Sequence, residues 1–76
     1  MCSIIGYYGN EVAAPIIVKG LRRMEYRGYD SVGVATESNS QIELKKGIGK
    51  VEEVNSKVQL DTLPGKIGIG HTRWAT

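Results

Sequence analysis

The sequence predicts a small α+β domain in which one amphipathic helix packs on a mostly antiparallel sheet. Short runs of strand-forming residues alternate with glycine, proline and polar turn residues, and a single longer segment repeats its apolar residues at helical spacing. The composition, 41% hydrophobic and 24% charged, is typical of a folded protein. A length of 76 residues allows one small domain with a modest core.

The first strand is predicted over Ser3–Tyr8, a run of strand formers that ends at the Gly9-Asn10 turn. Its adjacent residues Ile4 and Ile5 predict a strand that is covered on both faces. A helix follows, and Asn10 is a candidate for its cap.

The helix carries one apolar stripe formed by Val12, Ala13, Ile16, Ile17, Gly20, Leu21 and Met24. Pro15 costs about 3 kcal/mol inside a helix but is tolerated in the first turn. We therefore expect the helix to begin near Ala13 or Ala14. Gly28 is the natural left-handed stop after it.

Two further strands, Ser31–Thr36 and Gln41–Lys46, are predicted to form a hairpin around the polar turn at residues 37–40. Only Ile42 and Leu44 are apolar in the second of them, and they alternate with polar residues. This alternation predicts a strand with one solvated face.

A short helix is predicted over Lys50–Val58, and a fourth strand over Lys66–Thr72. The alternation of the fourth strand separates its isoleucines from Gly68 and Gly70, and it predicts a close approach of another element to the glycine face. One face of the sheet is left without a predicted layer to cover it.

Charge and composition argue against several classes of function. The net charge is +2 and the basic residues are scattered, so we expect no nucleic-acid partner. The single cysteine and single histidine are too few for an internal disulfide or a zinc site, and no phosphate-loop motif is matched, so we expect no metal and no cofactor. No signal peptide or membrane span is visible, and a cytoplasmic protein is the default expectation.

Cys2 is the main candidate for chemistry. A lone free cysteine is usually a small buried hydrophobe. Removal of the start methionine, however, would leave a thiol and a free α-amino group on one residue, and the ordinary pKa of such an amine is about 7.7–8.0. An N-terminal amine is a recognised base for activating a nucleophile, and it needs no histidine.

Three other features have both a structural and a functional interpretation. Arg73, beside Trp74, is either a surface residue or a residue whose forked guanidinium group binds a substrate carboxylate. His71, assigned to the glycine face of the last strand, is expected to be a hydrogen-bonded core residue rather than a base. The stretch EYRGYDS, residues 25–31, is interpreted as a turn with an internal Arg–Asp pair.

Three stretches together, MCSIIGYYG, GLRRMEYRGYDSVGVA and GIGHTRWAT, resemble the opening of the class II glutamine amidotransferases. The resemblance covers essentially the whole chain. It implies an N-terminal-nucleophile hydrolase fold, a four-layer αββα sandwich, of which residues 1–76 would be a truncated N-terminal piece. The family usually has glycine after the cysteine, whereas this chain has Ser3.

The resemblance also implies site roles and partners. It makes Cys2 the nucleophile, Arg73 the group that binds the α-carboxylate of glutamine, Trp74 and Thr76 the pocket lining, and Arg27 a supporting residue. It implies a homo-oligomeric parent that hydrolyses glutamine and passes ammonia to fructose 6-phosphate in an isomerase part outside these residues. An oxyanion-stabilising Asn-Gly pair and an aspartate are implied beyond residue 76, so the isolated piece is expected to catalyse little.

Two alternatives stay open at the level of sequence. The chain is a non-catalytic module whose exposed strand edges pair with another copy, or it belongs to an amidotransferase of another pathway, such as purine or asparagine synthesis. If Met1 is retained, the amine of Cys2 is tied up in a peptide bond and the proposed base is lost.

Overall fold

The computed structural model describes residues 2–25 and 30–73. In this part of the chain, four strands and two α-helices follow one another. Their bounds are β1 Ser3–Tyr8, α1 Ala13–Met24, β2 Ser31–Ser38, β3 Gln41–Ile48, α2 Val51–Val58 and β4 Ile67–Arg73, with a short 3-10 turn at Leu60–Thr62.

The strands form one antiparallel sheet in the order β1-β4-β2-β3. The last strand, β4, therefore lies between the first strand and the β2–β3 hairpin, and β1 and β3 are the edges. The hairpin turns at Asn39 and Ser40, whose φ angles of 54° and 65° match the left-handed conformation that two-residue hairpin turns require.

Both helices cover the same face of the sheet, and the core lies between them and the strands. Its fully buried hydrophobic residues are Ala13, Ala14, Ile17, Val18, Leu21, Val32, Val34, Val51, Val54, Leu60 and Leu63. We call this covered side the helix face and the opposite side the open face.

Helix α1 begins at Ala13, as Pro15 predicts, but Asn10 does not cap it. Val12 occupies the N-cap position and makes no side-chain hydrogen bond. The N–H of Ala13 instead donates to the carbonyl of Gly65 at 2.8 Å. The end of the helix at Met24 precedes Gly28, which lies outside the described residues, so its role as a stop is untested.

The buried stripe of α1 is rotated from the predicted one. Val12 is 49% exposed and Ile16 is 36% exposed, whereas Ala14 and Val18 are buried. Helix α1 packs on the glycines of β4. This contact, rather than the position of the largest apolar side chains, determines which side of the helix is buried.

The predicted close approach to the glycine face of β4 is confirmed. A Cβ atom built on Gly68 would lie 2.9 Å from Ile17 Cδ1, and one on Gly70 would overlap Ile17 Cγ2. Because Gly68 and Gly70 have no side chains, α1 packs directly against the backbone of β4.

Helix α2 is joined to α1 through polar contacts at its N-terminus. The carboxylate of Glu25 accepts a hydrogen bond from the N–H of Val51 at 2.5 Å. Arg22 pairs with Glu52 at 2.6 Å across the two helices. A carboxylate at a helix N-terminus satisfies an otherwise unpaired N–H and complements the helix dipole.

The open face is strongly apolar. By register it carries Ile4 and Tyr8 of β1, Ile67 and Ile69 of β4, and Ile42, Leu44 and Ile48 of β3. All seven are exposed, by between 43% and 86%.

Two predictions about faces are therefore wrong for this chain. Ile4 is 77% exposed, so β1 is covered on one face only. In β3 the apolar residues Ile42 and Leu44 lie on the open face, while Lys45 is on the helix face, where its Nζ donates to Gln59 O and Thr62 Oγ1 at 3.4 and 3.3 Å. Alternation separates the two faces of a strand but does not say which of them a helix covers.

No helix within residues 2–25 and 30–73 is both long enough and apolar enough to cross a membrane.

Candidate functional site

The candidate nucleophile, Cys2, lies immediately before β1, whose first residue pairs with β4 near its end. The register pairs Ser3 with Thr72, so its continuation by one residue sets Cys2 opposite Arg73. Alternation assigns both residues to the open face, and side chains directly opposite in an antiparallel pair have Cβ atoms about 4.5–5.5 Å apart. Cys2 is a free, exposed thiol. It is therefore not sealed in the core.

Arg73 is held in place by an acidic neighbour. Its Nη1 donates to Asp30 Oδ2 at 3.3 Å, with the arginine side chain 64% exposed and that of Asp30 35% exposed. Asp30 is itself fixed, because its backbone carbonyl accepts a hydrogen bond from Gly49 at 2.9 Å. The guanidinium has five N–H donors, so this contact leaves donors for a ligand carboxylate.

Sequence reasoning missed this partner. It expected Asp30 to pair within its own turn, but Arg27 lies outside the described residues and the pair that the structure has is with Arg73. The register of β2 with β4 sets Ser31 opposite Arg73 and explains the contact. Only the folded sheet joins two residues so distant in sequence.

Ser3 lies on the other side of the strand from Cys2. It is half-buried and pairs with Thr72, which is buried on the helix face. The hydroxymethyl group that replaces the usual glycine therefore points away from the face that carries the thiol.

The expectation for His71 is wrong. Alternation along β4 sets His71 with Ile69 and Arg73 on the open face, not with the glycines, and the residue is exposed. It pairs with Ile4 on one side and Gly33 on the other. A Cβ on Gly33 would lie 2.9 Å from His71 Nε2, so the imidazole lies across the bare backbone of β2.

The remaining predicted site residues, Arg27, Trp74 and Thr76, lie outside the described residues, so their positions are untested. Among the described residues, no group of three or more His, Cys, Asp and Glu side chains is arranged to hold a metal ion.

Cys2 and Arg73 stand on an open surface rather than in a closed pocket. A groove of about 520 Å³ lies at the far end of the sheet, where Tyr8, Glu37 and Ile67 are among its lining residues. A second, of about 380 Å³, lies beside His71 and Lys46. The thiol and the guanidinium line neither of these two grooves.

The chain is similar over its whole length to several curated proteins. It is 58% identical over 76 residues to glutamine–fructose-6-phosphate aminotransferase (isomerizing) of Pyrococcus horikoshii and 59% identical over 76 residues to the protein of the same name from Methanococcus maripaludis. The chain spans 13% and 12% of the lengths of these relatives. No protein-family model matches the chain.

Two solved structures have the same fold. The allosteric regulatory enzyme of purine biosynthesis superposes with a TM-score of 0.88 at 32% identity, over 100% of this chain and 16% of that one. The glutamine phosphoribosylpyrophosphate amidotransferase of B. subtilis gives 0.88 at 31% identity, over 99% of this chain and 16% of that one.

These superpositions confirm the expected N-terminal-nucleophile hydrolase fold. The described residues supply one sheet and the helices on one of its faces, which is one αβ half of the αββα arrangement.

Proposed function

Because the chain is homologous over its whole length to glutamine–fructose-6-phosphate aminotransferases, and so belongs with the glutamine amidotransferases, we propose that it carries the nucleophile and the carboxylate anchor of a glutamine-hydrolysing site. The observation that supports the proposal is the pairing of Ser3 with Thr72, since continuing this register by one residue would bring Cys2 opposite Arg73. Glutamine has an amide at one end and an α-carboxylate at the other, and these are the groups that a thiol and a guanidinium recognise.

The reaction proceeds by acyl transfer. The Cys2 thiolate attacks the side-chain amide carbon of glutamine, the C–N bond breaks, and ammonia leaves with the proton that came from the thiol. Water then cleaves the thioester, which releases glutamate and restores the thiol. The exposure of Cys2 supports this role, because a nucleophile needs access to its substrate.

The base in this proposal is the α-amino group of Cys2 itself. Removal of Met1 frees this amine, which takes the proton from the thiol. No histidine is required, and the position of His71 across Gly33 of β2, rather than beside Cys2, agrees with a mechanism that does not use it.

Arg73 fixes the orientation of glutamine by binding its α-carboxylate. Asp30 holds one guanidinium nitrogen at 3.3 Å and thereby limits the rotation of the fork. Arg27, Trp74 and Thr76 complete the site in this proposal, with the two latter residues lining the pocket.

The proposed context is the first part of a glutaminase domain in a longer enzyme. There the ammonia is transferred to fructose 6-phosphate in a separate isomerase part to give glucosamine 6-phosphate. The identity to the two aminotransferases is 58–59%, whereas the identity to the two solved structures is 31–32%, and this difference favours the sugar pathway. The cytoplasmic location stays a prediction.

The 76-residue chain alone is proposed to bind and react without sustained turnover. Its oxyanion donors would come from residues that follow it, and the loss of one such donor typically lowers the rate about 10²–10³-fold.

A labelling experiment tests the nucleophile. The chain is prepared with Cys2 as its first residue and treated with a glutamine analogue that carries a diazoketone in place of the amide. We expect mass spectrometry to find the label on Cys2 and excess L-glutamine to slow the labelling about tenfold, whereas asparagine, with its shorter side chain, has little effect. Labelling at the same rate with and without glutamine would leave the non-catalytic alternative as the better reading.

Arg73 variants test the carboxylate anchor. Arg73→Ala is expected to abolish protection by glutamine, and Arg73→Lys to retain only part of it, because lysine keeps the charge but lacks the two-pronged fork. Iodoacetamide labelling without glutamine serves as the control, since it reports thiol accessibility in each variant. Full protection by glutamine in Arg73→Ala would exclude this role.

A further inference from the structure

Asp30, the residue that precedes β2, is held by the loop that joins β3 to α2. The last register pair of the β2–β3 hairpin is Ser31 with Ile48, and the N–H of Gly49 donates to the carbonyl of Asp30 at 2.9 Å. This bond extends the antiparallel ladder by one step beyond the two strands. The backbone of Asp30 is therefore fixed to the neighbouring strand, and its side chain starts from a defined position.

The conformation of Gly49 explains why this loop contains a glycine. Its φ angle is 125°, a value that residues with a side chain rarely adopt. A Cβ atom on Gly49 would also lie 3.1 Å from Glu53 Oε1, the oxygen that accepts a hydrogen bond from the N–H of Lys50 at 3.0 Å. An alanine at this position would have to change the backbone of the loop, and we expect it to lose the hydrogen bond to Asp30.

The rest of the loop is joined to both helices. The N–H of Val51 donates to the carboxylate of Glu25 at the end of α1, and Val51 and Val54 are buried in the core. The N–H groups of residues 49–51 thus all donate to acceptors within the fold. The loop is a fixed support for Asp30 rather than a free connection.

Asp30 connects this support to Arg73. The register sets Ser31 between Ile48 of β3 and Arg73 of β4, so the residue before Ser31 lies near the arginine. Asp30 Oδ2 accepts from Arg73 Nη1 at 3.3 Å, while 64% of the arginine side chain is exposed. A long exposed side chain loses conformational entropy when a ligand immobilises it, and a fixed acceptor removes part of this cost before the ligand binds.

Asp30 has two opposing effects on a carboxylate that binds to Arg73. Its negative charge repels the ligand, and it occupies one N–H donor of the guanidinium. The pair is largely exposed, so water weakens the repulsion, and the remaining donors stay available. We therefore expect the positioning effect to be the larger of the two.

We propose that Gly49 and Asp30 are positioning residues for the carboxylate anchor, and that Gly49 acts on Arg73 through Asp30. The inference rests on the function proposed above, because it concerns the binding of the α-carboxylate of glutamine by Arg73. Neither positioning residue contacts the reacting atoms in this proposal.

Saturation kinetics of the labelling reaction test the proposal. The chain that begins with Cys2 is titrated with the diazoketone analogue of glutamine, and the half-saturating concentration and the limiting rate are measured. Gly49→Ala and Asp30→Ala should each raise the half-saturating concentration about threefold to fivefold, as an exposed ion pair allows, without changing the limiting rate. Asp30→Asn should have a smaller effect, because its amide oxygen still accepts a hydrogen bond from Arg73.

Glu52→Gln is the matched control for the Asp30 variants, since it neutralises the carboxylate of a different exposed arginine pair, with Arg22 on the helices. It should bind the analogue like the parent chain. Circular dichroism and the rate of iodoacetamide labelling should be unchanged in every variant, which reports an intact fold and an accessible thiol. Should Gly49→Ala lose its fold, Asp30→Ala carries the test, because its side chain is partly exposed.

A double-variant cycle tests whether both residues act through Arg73. In the Arg73→Ala background, neither Asp30→Ala nor Gly49→Ala should slow the labelling by the analogue any further, whereas an additional loss would assign them a merely structural role. If Arg73→Ala weakens binding but Asp30→Ala or a folded Gly49→Ala binds the analogue as tightly as the parent chain or more tightly, this inference alone is overturned. If Arg73→Ala itself binds like the parent chain, the carboxylate anchor of the proposed function fails, and the positioning roles fail with it.

Discussion

Thr36 is a single buried side chain that destabilises the folded state. The residue is 2% exposed on the helix face of β2, and its Oγ1 has no hydrogen-bond partner in the part of the chain that the structure describes. A buried hydroxyl without a partner costs about 1–3 kcal/mol. The sequence pattern identifies Thr36 only as a good strand former and does not reveal this cost.

Thr36→Val should therefore stabilise the protein. Valine has nearly the same shape without the hydroxyl, so we expect the free energy of unfolding to rise by about 1 kcal/mol in urea denaturation. Thr36→Ala is the control, because it also removes a methyl group and should be less stable than the valine variant. A valine variant less stable than the parent chain would mean that the hydroxyl has a partner.

The candidate site could be predicted from the sequence only as separate residues. Residue type and position suggested the roles of Cys2 and Arg73. The proposal that they lie opposite each other depends on the pairing of β1 with β4, and the contact of Arg73 with Asp30 depends on the pairing of β4 with β2. Long-range strand pairing is not encoded in local periodicity, so these relationships became visible only in the sheet.

At the level of elements, the contact between α1 and β4 depends on the glycines of β4, which have no side chains. Gly70 is buried beneath Ile17 and Leu21. Gly6 lies on the open face of the neighbouring edge strand, where a Cβ would have no neighbour closer than 3.8 Å. The same substitution should thus have opposite effects on the two faces.

Gly70→Ala should lower the free energy of unfolding by about 1–3 kcal/mol, because the added methyl group forces the helix away from the strand. Gly6→Ala should be neutral or stabilise by up to about 1 kcal/mol, since alanine loses less backbone entropy on folding. Chemical denaturation of both variants is the measurement. Equal effects would contradict the assignment of the two glycines to different environments.

Element boundaries were predicted well where a local signal existed. The bounds of β1 and the start of α1 at Ala13 follow from strand formers and from the tolerance of Pro15 in a first turn. The cap at Asn10 was wrong because the carbonyl of Gly65, distant in sequence, binds the first N–H of the helix. The buried side of α1 is likewise determined by a tertiary contact, its packing on β4, so the local sequence did not predict it.

At the level of the whole molecule, the sequence predicted an uncovered sheet face but did not identify the residues that lie on it. Ile4, His71 and the apolar residues of β3 all lie on the open face. Period-two alternation is symmetric between the two faces, and the missing information is which face the helices cover. In this chain, the glycines of β4 determine which face of the sheet the helices cover.

The sheet order also has a consequence during synthesis on the ribosome. Within the described residues, β1 pairs only with β4, so the first of these strands to be synthesised pairs with one that is synthesised after β2 and β3. Until β4 has been synthesised and has left the ribosome, β1 has no neighbouring strand to pair with. The N-terminal strand therefore joins this sheet later than its place at the start of the chain suggests.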